Sequence, residues 1–209
     1  MIYKAKNYEF LLGMKGFSEA LLKNRFSLYE GYVKNANKVL EILAGLTEEG
    51  KTSGPPFSEM KRRLSFELNG IDLHERYFEN MTKESLYRPD KESAFYRHIA
   101  QEFGSYGKWE KDFRSVASIR GVGWALTIYD PRSGLVMNTW VDEHHLGHVA
   151  GTFPIVVVDL WEHAMLLDYG SDRKEYLDAL LKVLEWGTIS KRFAKALEFQ
   201  ETHYAYKGV

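Results

Sequence analysis

The run FPIVVVD, residues 153–159, passes directly into LWEHAMLLDY, residues 160–169. Its first part has the length of a buried strand and is far too short to span a membrane. The residues after it read as helical, so Asp159 and His163 stand at a strand-to-helix junction. A carboxylate and an imidazole four residues apart at such a junction can converge on one metal ion. Taken alone, the same D-x-x-x-H spacing also reads as a helix N-cap Asp followed by a packed histidine.

Upstream, Gly121-Val-Gly123 opens the strand-like run WALTIYD (124–130), and Pro131-Arg-Ser-Gly134 turns it back through LVMNTWV (135–141). That is a β-hairpin, and Pro154–Asp159 is a third strand. The N-terminal half has a different texture. Apolar residues at 17, 21, 22, 26, 29, 32, 33, 36, 39, 40 and 43 keep the helical period, with Ser18 as N-cap. The segment EEGKTSGPP (48–56) breaks that helix, and a second runs from about Phe57 to Met81, giving an antiparallel helical hairpin. Two shorter helices are expected over Lys91–Phe103 and Trp109–Ile119. From Trp161 to the end the chain reads as helical, with an interruption at Gly170 and a break near Trp186-Gly187. The fold class is therefore α+β: an N-terminal antiparallel helical hairpin domain (1–86), then a C-terminal α/β domain (87–209) with a small three-stranded antiparallel sheet packed with helices.

Composition narrows the chemistry. The chain has 209 residues and no cysteine, which removes disulfides, thiolate metal sites and cysteine nucleophiles; any metal must be held by His, Asp or Glu. With 28 basic and 29 acidic side chains spread along the sequence, no basic stripe speaks for nucleic acid. The opening MIYKAKNYEF carries charges and no apolar run of signal-peptide length. A soluble cytoplasmic protein, with neither nucleic acid nor membrane as partner, is the expectation.

The string DLWEHAMLLDYGSDRKEYL (159–177) resembles the signature of the iron/manganese superoxide dismutase family, D-x-W-E-H-A-Y-Y-L-D-Y followed by an Arg, with matches at Asp159, Trp161, Glu162, His163, Ala164, Leu167, Asp168, Tyr169 and Arg173. Gly121-Val-Gly123-Trp124 resembles the family's G-x-G-W. The segment YVKNAN (32–37) resembles its first-helix Y-V-x-x-L/A-N, and FELNGIDLHERYFENM (66–81) sets His74 at the place of the second-helix ligand. The resemblance implies one iron or manganese ion per subunit, with His74, Asp159 and His163 among its ligands and superoxide as the substrate. It also implies a gateway role for Tyr32 in relaying protons and an apolar wall from Trp124 and Trp161. Glu162 would hydrogen-bond the partner's ligand histidine across a homodimer. VDEHHLGHVAG (141–151) resembles the archaeal-type V-E-N-H-F-x-N-H-I-A-E, which puts His148 in the role of donor to metal-bound solvent and leaves His144 and His145 as loop residues. A separate metal site built on His144, His145 and His148 is a lesser alternative.

The sequence also departs from this pattern. The family's first ligand is a histidine eight residues before the gateway tyrosine, and here that residue is Asn24. Eight residues advance a helix by about 800°, leaving positions 24 and 32 on one side, so Asn24 is expected to point toward the site as a weak, neutral ligand. The family's paired His and Tyr of the dimer rim are replaced by Leu28 and Leu166, and Gly70 stands where some members carry a glutamine. Two functions follow as expectations: a superoxide dismutase weakened at Asn24, or a non-catalytic homodimer of that fold with a structural or binding role. Peroxide chemistry at a three-ligand iron is a third.

Overall fold

The computed structural model describes residues 2–85 and 87–204; the last residues of the helical stretch expected after Trp161 lie outside that range. Two long helices lead, α1 (Glu19–Glu48) and α2 (Pro55–Glu79). Ser18 caps α1 by accepting the Leu21 N–H, one of the donors a first turn leaves open. Pro55 begins α2, where its missing N–H costs nothing. α1 buries Leu21, Leu22, Arg25, Tyr29, Val33 and Ala36 along one stripe. α2 buries Ile71, Leu73, His74, Tyr77 and Phe78, and Phe26 and Tyr29 meet Phe78 edge-on between the two helices. Asn37, in the YVKNAN segment, accepts the N–H groups of Ile2 and Tyr3 and donates to the Tyr3 carbonyl, which ties the leading segment onto α1.

Two shorter helices follow, α3 (Ala94–Phe103) and α4 (Tyr106–Ala117). They start where Ser93 and Ser105 cap them, later and earlier respectively than hydrophobic periodicity alone suggests. The sheet comprises β1 (Gly123–Asp130), β2 (Leu135–Asp142) and β3 (Phe153–Asp159) in the order β2-β1-β3, all antiparallel. β1 lies in the middle and is buried at every position. Its register sets Trp124 directly beside Asp159 at the end of β3. Gly123 is obligatory there, since any Cβ would collide with the Val141 carbonyl of the neighbouring strand. α4 lies on the sheet through Trp109, whose Nε1–H donates to Thr127 Oγ1 at 3.1 Å.

After β3 come a 3-10 turn (Glu162–Ala164), α5 (Leu166–Tyr169), α6 (Arg173–Leu180), a second 3-10 turn (Leu181–Val183) and α7 (Trp186–His203). The break expected near Trp186-Gly187 falls at Leu184 and Glu185, and α7 restarts at Trp186, where the Glu185 carboxylate accepts the Gly187 and Thr188 N–H groups as an N-cap. Helices of both halves and the sheet share one buried core, from Leu11 and Leu21 through Phe78, Trp109 and Val157 to Phe193. No helix among the described residues is long and apolar enough to cross a membrane.

Asn80 joins three elements at the end of α2. Its Nδ2 donates to Val157 O of β3 at 2.9 Å, its Oδ1 accepts Arg192 Nη1–H of α7 at 2.8 Å, and its carbonyl accepts the Glu185 N–H at 2.7 Å. Asn80→Ala removes both side-chain bonds from a fully buried place and should cost about 3 kcal/mol in denaturant unfolding; a loss under about 0.5 kcal/mol contradicts this assignment.

Candidate metal centre

His74 lies on the buried face of α2. Its Nδ1 is 2.7 Å from the Gly70 carbonyl one turn back, and a carbonyl only accepts, so the ring proton is on Nδ1. The lone pair is thereby left on Nε2, which is buried without a partner among the described residues. Burial, with Arg25 adding to it, holds the His74 pKa well below 6.5, so the imidazole is neutral. Asp159 ends β3 and is fully buried. Its Oδ1 accepts the Trp161 N–H at 2.9 Å and its carbonyl accepts Tyr176 Oη–H at 2.8 Å, so both ends of the residue are fixed. His163 follows in the 3-10 turn, its Nε2 also buried and without a partner among the described residues. One ligand atom each from His74, Asp159 and His163 falls within 4.8 Å of the others. Two neutral imidazoles and a carboxylate form a donor set for a hard-to-borderline divalent or trivalent ion.

The fourth member of this cluster is Arg25, not Asn24. Asn24 is exposed on α1, while Arg25 is fully buried and donates through Nη2 to Asp159 Oδ2. The helix explains the change. Seven residues advance about 700°, within about 20° of two full turns, so position 25 lies on the same line as Tyr32 and position 24 is carried toward solvent. A cation therefore stands where a neutral amide was expected. The guanidinium also lies 5.7 Å from the centre of the Tyr77 ring, and its Nε and Nη1 have no partner among the described residues. The signal was present in the sequence: Leu21, Arg25, Tyr29 and Val33 recur at the spacing of one buried helix face.

Tyr32 lies at the edge of the cluster, its ring centre 5.0 Å from that of His74. Gly70 makes room for it, because a Cβ there would meet the Tyr32 ring at 2.8 Å. The residue paired with Tyr32 is His144; His148 lies one step farther out. The loop after β2 closes tightly, with Asp142 N–H donating to Leu146 O at 2.9 Å and Glu143 held at φ +50°. That turn drops the His144 ring inward, stacked on Trp161 at 4.8 Å. His148 instead approaches the His144 carbonyl through Nε2 at 3.0 Å and braces the loop. Trp124 Nε1–H donates to His144 Nδ1 at 3.0 Å. An indole nitrogen only donates, so the His144 proton is on Nε2 and points to Tyr32 Oη, 2.8 Å away. Tyr32 therefore accepts from His144 and keeps its own proton for another partner. Among the described residues, His144, His145 and His148 do not converge as ligands.

Trp124 meets His74 edge-on at 5.0 Å and Trp161 stacks on His163 at 5.4 Å, so the two indoles wall the cluster. Glu162 is exposed, as is Leu166, and Leu28 is half-buried. Other motif residues hold the frame. Asp168 Oδ2 accepts the Ser18 N–H at 2.6 Å and Tyr169 Oη–H donates to Gly16 O, which fixes the start of α1 two turns before Arg25. Arg173 donates to Ile119 O at 2.6 Å, Gly121 O at 2.9 Å and Leu160 O at 3.3 Å, tying the segment that enters β1 to the residue that follows Asp159.

Comparison with known proteins follows the same lines. Residues 91–192 match the family model described as iron/manganese superoxide dismutases, C-terminal domain. The chain is 34% identical over 173 residues to superoxide dismutase [Mn] 2 of Haloferax volcanii, covering 83% of this chain and 84% of that protein. It is 32% identical to superoxide dismutase [Fe] of Pyrobaculum aerophilum, over 82% and 81% of the two chains. With superoxide dismutase [Fe] of Cupriavidus metallidurans it is 31% identical over 88% and 92%.

Burial, reinforced by Arg25, pushes His144 and His163 down to about 3. In the unfolded chain these rings titrate near 6.5, so below that pH the unfolded state binds protons that the folded state refuses. Stability is then fully present above about pH 6.5 and lost as pH falls toward 3. In chelator, the melting temperature should drop between about pH 7 and pH 5, above the range of ordinary carboxylates; a flat profile there contradicts neutral buried rings. Asn24→Ala, by contrast, should change stability by less than about 0.5 kcal/mol in the same buffer.

Proposed function

The chain belongs to the iron/manganese superoxide dismutase family, and on that premise we propose that His74, Asp159 and His163 hold one iron or manganese ion per subunit and that the protein dismutates superoxide weakly. The supporting observation is the pair of bare, buried imidazole nitrogens, His74 Nε2 and His163 Nε2, gathered with an Asp159 oxygen. Buried unpaired polar atoms are costly, and a metal ion is the ligand their chemistry fits. When bound, such an ion supplies the alternation between +3 and +2 that lets one superoxide be oxidised to oxygen and the next be reduced.

The chain's own residues supply the protons and the shelter. Two superoxide anions and two protons give one oxygen and one hydrogen peroxide. Tyr32 Oη, relieved of donating to His144 by the tautomer that Trp124 imposes, can give its proton to reduced oxygen and take a replacement from solvent, which its half-buried side chain can reach. Burial raises the Tyr32 pKa, so the hydroxyl stays protonated until a strong base arrives. His144, not the His148 expected as donor to metal-bound solvent, is the histidine of that loop whose N–H reaches Tyr32. Trp124 and Trp161 keep the site apolar and raise the weight of every charge within it. The reading extends to a cytoplasmic homodimer. Leu166 and Leu167, 58% and 60% exposed, are apolar surface beside Glu162, which would reach the ligand histidine of the partner.

A second reading, a non-catalytic homodimer of the same fold, is favoured by one observation. Arg25 already neutralises Asp159, so the chain can fold with no ion.

Elemental analysis of purified protein, beside a cytochrome-reduction assay for superoxide, tests the first reading. Iron or manganese below one per chain with weak dismutation is expected, both lost in His163→Ala. Metal retained undiminished in His163→Ala would overturn the ligand set. Metal-free protein with no activity after loading would favour the second reading.

A further inference from the structure

Arg25 has no packing reason to be an arginine. It is fully buried, and two of its three guanidinium nitrogens have no partner among the described residues. Apolar side chains of similar volume in place of a buried ion pair are often neutral or stabilising. What the position does offer is Asp159, and both oxygens of that carboxylate are committed. Oδ1 accepts the Trp161 N–H, and Oδ2 accepts from Arg25. Oδ2 is also the oxygen that faces His74 Nε2, at 3.7 Å, so an ion shared by Asp159 and His74 would draw on the lone pair that Arg25 holds. A guanidinium and a divalent or trivalent ion on one oxygen would repel each other strongly in surroundings this dry.

We propose that Arg25 is a built-in competitor for the metal site: its guanidinium supplies the positive charge Asp159 needs in the metal-free chain, and it must leave Oδ2 before iron or manganese can be held. The inference rests on the reading of His74, Asp159 and His163 as ligands, and it supplies a physical cause for the low occupancy expected of that reading. It also assigns Arg25 two opposed effects, keeping the metal-free protein folded and lowering metal affinity, which a purely structural arginine would not combine.

The test uses the full chain as wild type, Arg25→Met, and the double variant Arg25→Met with Asp159→Leu. Each is stripped with chelator and measured by equilibrium dialysis against manganese(II), with elemental analysis, and by thermal melting with and without the metal. Arg25→Met should bind manganese(II) at least about tenfold more tightly than wild type. Its metal-free melting temperature should fall by on the order of 10 °C, because Asp159 is left buried and unpaired. The double variant should regain most of that loss and bind no manganese. Should Arg25→Met fail to fold without metal, Arg25→Gln keeps a donor for Asp159 without the charge and should show the same gain in affinity. Equal affinity in wild type and variant, with both bound at the site, overturns the inference and leaves the ligand reading standing. No binding by either overturns the ligand reading, and the inference with it.

Discussion

The buried contact between Arg25 and Asp159 is the constraint around which the centre of this molecule is arranged. A carboxylate with no exposed surface at the end of β3 must find positive charge or hydrogen bonds. Trp161 supplies one bond from the turn that follows, and α1 supplies the charge. Because Asp159 is on the sheet and Arg25 on the first helix, the ion pair joins the N-terminal hairpin to the C-terminal layers at the centre, beside the ties through Asn80 and the shared core. Breaking such a pair by removing one partner is far more damaging than never having had it. The motif residues Asp168 and Tyr169 serve the same end from a distance, since they pin Gly16 and Ser18 and so set the phase at which Arg25 arrives.

Around that pair the other donors are oriented by neighbours with fixed hydrogen-bonding roles. A carbonyl, Gly70 O, can only accept, and so bares His74 Nε2. An indole, Trp124, can only donate, and so sends the His144 proton to Tyr32. Neither orientation needs a charge, and both are held in a low-dielectric core where the rings stay neutral. Two bare imidazoles, a carboxylate oxygen and a tyrosine ring are thereby gathered in one place. What stands on the α1 side is a side chain that carries its own positive charge.

Much of this was legible in the residues. The hairpin of long helices, the turn at Pro131–Gly134 and the strand ending in Asp159 follow from period and punctuation, and Ser18 announced the start of α1. The helix starts that periodicity misplaced were those set by serine caps at Ser93 and Ser105, whereas the break near Trp186 was legible and is closed by the Glu185 cap of α7. At the site, His74, Asp159 and His163 could be read from motif and spacing, but two neighbours could not. Asn24 was placed by counting from Tyr32, and a helical count that is one residue off rotates a side chain by about 100°; the buried stripe through Leu21, Arg25 and Tyr29 was the better guide. The choice between His144 and His148 depended on a tight turn at residues 142–146 with Glu143 in the left-handed region, which no pattern of histidines encodes.

If Arg25 competes for the site as proposed, Arg25 and a metal ion are alternatives on Asp159 Oδ2. The most direct measurement is a crystal structure of the wild-type chain equilibrated with saturating manganese(II), with anomalous scattering collected to locate the metal. The expected result is an anomalous peak among His74, Asp159 and His163 together with an Arg25 guanidinium that has moved off Oδ2. A peak at that place with Arg25 Nη2 still within hydrogen-bonding distance of Oδ2 would contradict it.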